Sequence, residues 1–127
     1  MSGIRDYPWS GYLQERCGHT EDGWPAIHGR TALAQETRDL VLCVMNAAHY
    51  ARSTSSAWLL PLRESLLVRR VYVGRRPEQS AYQPTLRGAR LVAKHTKGRA
   101  AELIAELIPQ LEADELETAW ESVSQQD

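Results

Sequence analysis

No stretch of the chain holds enough consecutive apolar residues to span a membrane. None opens it as a signal segment either: Arg5 and Asp6 are followed by Pro8, Gly11 and several polar residues. A cytoplasmic protein without a membrane partner is therefore expected. Cysteine is nearly missing, with Cys17 and Cys43 the two in 127 residues. They allow one bridge at most, and in a reducing compartment free thiols are expected. There is no glycine-rich phosphate loop and no serine on a sharp strand-to-helix elbow, which sets aside nucleotide-binding and serine-hydrolase chemistry. Internal repeats and low-complexity segments are absent too, and no cofactor is implied.

Basic residues are absent from the last part of the chain, and that absence is half of a pattern. From Ala101 to Asp127 there are eight acidic residues and no basic one, whereas between Pro61 and Arg99 ten basic residues stand against Glu64 and Glu78, a balance of +8. The net charge of −1 and a pI near 6.4 conceal this division. Such a field steers an anionic partner to the middle of the chain, or is self-complementary within the fold or across a dimer. The low pI argues against nucleic acid as the main partner.

What is present is enough apolar residue, 43%, for one domain with its own core. Residues 1–30 hold seven glycines and prolines together with Tyr7, Trp9, Tyr12 and Trp24. They are expected to form an irregular extension whose rings cover the domain or a partner, with a short helix near Ser10 to Arg16. Thr31 is placed to cap a helix from Ala32 to about Arg52, on the stripe Leu33, Thr37, Leu40, Val44 and Ala47. Ser53 to Ser56 reads as a turn and cap, and from Ala57 to Val73 the pattern predicts a central helix apolar on two sides. Leu60, Leu67, Val68 and Val71 line one side, Leu59, Leu62, Leu66 and Val73 the other; Pro61 either kinks this helix, the favoured reading, or stands in the first turn of one that starts near Leu60.

Gly74 to Pro84 is expected to be a loop, Thr85 to about Thr96 a helix broken or weakened at Gly88, and Arg99 to Ile108 another. Pro109 then kinks or divides that helix before an acidic one carrying Leu116, Ala119, Trp120 and Val123, frayed from Ser124. No run of alternating β-formers stands out, so the expected fold is all-α: a bundle of four or five helices over residues 31–127, with the aromatic-rich segment 1–30 packed on it or on a partner.

Glu64 borders the stripe of Leu60, Leu67 and Val71, so burial with a hydrogen-bonding partner, or a ligand contact, is expected of it. Cys17, His19 and His28, with Cys43 or His49, lack the spacing of a familiar zinc module, and no metal is expected. The spacing of Arg90 and His95 resembles the arginine, four-to-six residue, histidine pattern of helical ribonuclease and toxin domains of the higher-eukaryote and prokaryote nucleotide-binding (HEPN) type. The helix from Thr31 to Arg52 and the segment Ala57 to Ser65, with Arg63 followed by Glu64, also resemble uncharacterised bacterial all-helical families related to that group. This resemblance implies RNA cleavage, with Arg90 holding the phosphate while His95 moves a proton.

The residues themselves point first to a non-enzymatic regulatory module that binds a protein partner or a second copy of itself. Trp9, Tyr12, Trp24 and Glu64, and the cations Arg69, Arg70, Arg75 and Arg76, are its candidate binding residues. The alternative is a phosphate-handling enzyme or an RNA or DNA binder using Arg90 and His95. A small-molecule pocket beside Glu64 is a third reading.

Overall fold

The computed structural model describes the backbone of residues 8–16 and 18–125 and the side chains of residues 8–14 and 18–117. Expectations for Tyr7, Cys17, the side chains of Ala119, Trp120 and Val123, and the last two residues lie outside the described residues. Helix α2, Ala32–Tyr50, starts where the sequence places it: the Thr31 hydroxyl accepts from the Ala34 amide at 3.1 Å. It ends at Ala51 in the left-handed conformation, φ 52°. Its face of Ala34, Thr37, Leu40, Cys43 and Val44 is fully buried, making this helix the spine of the core.

The N-terminal segment packs on that spine. Helix α1, Trp9–Arg16, sends Trp9 and Leu13 into the core, and the Trp9 ring nitrogen donates to Glu36 at 3.3 Å. Two short strands, β1 (Gly18–His19) and β2 (Pro25–Ala26), pair antiparallel. Their turn is seated by Gly23, at φ +101°, where any Cβ would lie 1.8 Å from the Lys97 carbonyl oxygen. Arg38 fastens the rest of the segment by donating to the carbonyls of Ile27 and Gly29.

The expected all-α bundle is overturned: the fold is mixed α/β, with two small antiparallel sheets. The larger sheet has the order β3–β5–β4, from Thr54–Ser55, Ala81–Pro84 and Val68–Tyr72. The single central helix from Ala57 to Val73 does not form. After β3, which lies in the expected turn, stand a 3-10 turn over Ala57–Leu59, the five-residue helix α3 (Leu60–Glu64) and strand β4. Pro61 sits in the first turn of α3, where its missing amide hydrogen costs nothing, so it starts a helix and does not kink one. Leu66 then turns the chain at φ 57°, and the β-branched and aromatic run Val68, Val71, Tyr72, Val73 favours an extended backbone. The two apolar stripes were the inward ends of separate elements: Leu59 and Leu62 before the turn, Leu67 and Val68 after it.

The expected loop from Gly74 to Pro84 holds a second 3-10 turn, Pro77–Gln79, and then β5, the middle strand, whose Tyr82 is fully buried. Register places Arg70 opposite Tyr82 and Arg69 opposite Gln83, with a bulge between Arg70 and Tyr72. Helix α4, Leu86–Ala93, follows at once under a Thr85 cap that accepts from the Gly88 amide at 3.1 Å. Helix α5 is one element, Gly98–Gln125, and Pro109 neither ends nor divides it. The carbonyl left without its amide donor is that of Ala105, which like Pro109 is exposed, so water can satisfy it. Among the described side chains of α5, Ala100, Ile104, Leu107 and Leu111 are buried; from Glu112 to Glu117 every residue is exposed.

Cys43 on α2 is fully buried, and burial pushes its thiol up to about 12. In a Cys17→Ser protein, alkylation near pH ~8 should run at least about 100-fold slower in the native state than after denaturation, because the thiolate is the reacting form.

Candidate binding site

The turn at Leu66, the base of the β4–β5 hairpin and the outer face of α4 meet at one place. Thr85 holds them together: its hydroxyl donates to the Leu66 carbonyl, and its amide donates to the Leu67 carbonyl at 3.2 Å. Gly88 allows the approach, since a Cβ there would lie 2.0 Å from the Leu67 carbonyl oxygen. Beside this junction runs a groove of about 630 Å³, floored by Leu66, Leu86 and Leu91 and lined by Arg87, Arg90 and Lys94. The three cations recur at helical spacing along one side of α4.

A second groove of about 550 Å³ shares Leu66 and Thr85 with the first and carries Arg63, Glu64, Arg69 and Arg70. Arg70 lies over the Tyr82 ring, 5.9 Å from its centre, and Arg69 donates to Gln83 at 3.1 Å. Arg75 and Arg76 stand exposed on the hairpin loop, with Arg76 3.8 Å from Glu78. Leu66, Tyr72 and Val73, each more than half exposed, add apolar surface to this face. Glu64 is exposed at the end of α3 and lines the second groove, so burial supplies no constraint on it.

The acidic part of the chain reaches the first groove. Glu112 on α5 lies 3.5 Å from Arg90, and Glu115, three residues on, accepts from the Leu86 amide at 3.0 Å and forms part of the groove wall. A carboxylate at the first amide of a helix is also favoured by the helix dipole.

The other candidate residues lie elsewhere. Trp9 and Trp24 are buried in the core, and the Tyr12 hydroxyl donates to the His28 carbonyl at 2.5 Å, so these rings hold the N-terminal segment down. His95, beyond the end of α4, is on the side of β1: His19 Nε2 donates to its carbonyl oxygen at 2.8 Å. Arg90 is on the α5 side, paired with Glu112, so the two members of the Arg90–His95 motif have different neighbours. Among the described residues no three His, Cys, Asp or Glu side chains are grouped to hold a metal ion, and no helix is long and apolar enough to cross a membrane.

Burial, then the charges of Lys94 and His19, lower the pKa of His95 from 6.5. The unfolded chain therefore takes up a proton first as pH falls. The stability due to neutral His95 is complete above pH 6.5 and is lost between there and the lower folded value. The melting temperature should fall as pH is lowered through that window, and His95→Gln should flatten the fall; an unchanged slope in the variant would assign it to other groups.

Comparison of the chain with protein families, with characterised proteins and with solved structures finds no match.

Proposed function

We propose that this protein is a non-catalytic binding module that takes an acidic segment of a protein partner into the groove between α4 and the Leu66 turn. The observation that carries the reading is the groove itself: Arg87, Arg90 and Lys94 stand over an apolar floor, with Glu112 and Glu115 already engaged at one side. Cations set around an apolar centre suit an acidic amphipathic segment, since the apolar contact supplies affinity while the charges select and orient. Leu66, more than half exposed, is part of that apolar surface.

A second reading rests on the hairpin. The β4–β5 ribbon, which β3 widens to three strands at Ala81 and Tyr82, bears Arg69, Arg70, Arg75 and Arg76, cations suited to nucleic-acid backbone. Titrating the protein into labelled polyglutamate and labelled duplex DNA, followed by fluorescence anisotropy, separates the two. The acidic-segment reading expects polyglutamate binding on the order of 10 µM that weakens with salt. Tighter binding to DNA than to polyglutamate at equal salt favours the ribbon, and no binding to either probe removes both.

A further inference from the structure

The contacts of α5 with the groove suggest more than a surface ion pair. Helix α5 packs through Leu111 and continues with exposed side chains from Glu112 to Glu117. Two carboxylates at the start of that stretch, Glu112 and Glu115, are nonetheless placed on groove elements: one on the Arg90 guanidinium, the other on the first amide of α4. Three residues apart, they lie on one side of α5. The next residue, Leu116, is 74% exposed. The groove therefore already meets an acidic helix, presented by the chain itself, with an apolar side chain available beside the two carboxylates.

We infer that the C-terminal half of α5 is a built-in competitor for the groove, and that the external ligand is an acidic helix carrying two carboxylates three residues apart beside an apolar residue. The inference rests on the acidic-segment reading above and adds to it the conformation of the ligand and the regulation of the site. Both contacts are of a strength suited to competition. The Arg90–Glu112 pair is more than half exposed on each side, and such pairs contribute little. A ligand offering the same carboxylates plus an apolar contact on Leu66 and Leu91 can displace the arm without unfolding the core, which α5 joins through Ile104, Leu107 and Leu111. Removing the competitor raises the fraction of molecules able to bind, and the apparent affinity rises with it.

The test uses the full chain and a labelled peptide with the sequence of residues 110–125. E112Q/E115Q should bind the peptide about three- to tenfold more tightly than the unsubstituted protein, the range expected when weak exposed contacts are released. E102Q/E106Q makes the same change of net charge on the same helix; Glu102 pairs with Arg99 and Glu106 lies on another groove. It should change affinity by less than about twofold. Circular dichroism confirms that each variant keeps its helix.

Equal tightening by the two variants would overturn the inference, because long-range charge alone would then explain it. So would unchanged affinity in E112Q/E115Q while polyglutamate still binds the unsubstituted protein; in that case the acidic-segment reading stands. Failure of both peptide and polyglutamate to bind any of the three proteins removes both readings.

Discussion

Gly88→Ala should destabilise the protein by about 3 to 5 kcal/mol, at the upper end of what single substitutions do. In an unconstrained helix the same change would stabilise by about 1 kcal/mol, since alanine loses less backbone entropy than glycine. The sign is reversed by a single distance. A Cβ on Gly88 would stand 2.0 Å from the Leu67 carbonyl oxygen and 2.9 Å from its carbon, and both are backbone atoms that no side-chain rotation can move aside. Helix α4 would have to lift from the turn, breaking the Thr85 bonds to Leu66 and Leu67 and uncovering the buried Leu67, Ala89 and Val92. Gly18→Ala is the matched control, because a Cβ there meets nothing within 4 Å, and its urea midpoint should be almost unchanged. A Gly88→Ala protein with the midpoint of the unsubstituted one would show that α4 does not press on the Leu66 turn.

Charge reversal at two positions of the groove, Arg90→Glu with Lys94→Glu, should weaken polyglutamate binding by about 30- to 150-fold. Exposed charge contacts contribute up to about 1 kcal/mol each, and reversal replaces attraction with repulsion of similar size. Two such changes amount to about 2 to 3 kcal/mol, which gives that range. Arg30→Glu with Arg52→Glu alters net charge equally outside the groove and should cost less than about threefold. The contrast between the two pairs matters more than either value, since the chain divides its charges so unevenly that any reversal perturbs a distant anion somewhat.

How much of this was readable in the sequence depends on the element. Helix α2 was readable with its cap, because an uninterrupted apolar stripe over nineteen residues admits one period. Helix α4 was readable from Thr85 onward, but the break expected at Gly88 is absent: Gly88 lies inside the helix, buried against the Leu67 carbonyl. The stretch from Thr54 to Val73 was not. Its apolar residues come in short runs that fit a helical wheel and a buried strand equally well, and nothing in a leucine marks the left-handed turn at Leu66. Strand β5 was hidden between Gly74 and Pro84, where turn-forming residues dominate, although Tyr82 is the sheet's buried anchor.

The charge division was plain in the sequence, but its meeting point was not. Glu112 and Glu115 reach Arg90 and Leu86 because α5 continues through Pro109, and sequence reasoning kinks or breaks the helix there. The N-terminal rings were expected to cover the domain or a partner. The burial of Trp9 and Trp24 gives them a packing role, while Leu66, Val71, Tyr72 and Val73 are exposed apolar side chains of the turn and hairpin.

The central claim is that the surface between α4 and the Leu66 turn takes an acidic ligand, and amide chemical-shift mapping during titration with the 110–125 peptide tests it most directly. The account predicts that the largest shifts fall on Leu66 and on Leu86 to Leu91, with Lys94 and the backbone of Glu112 to Leu116 moving as the arm is displaced. Shifts confined to the outer face of α2 or to the α1 segment, with the α4 amides unmoved at saturation, would contradict it.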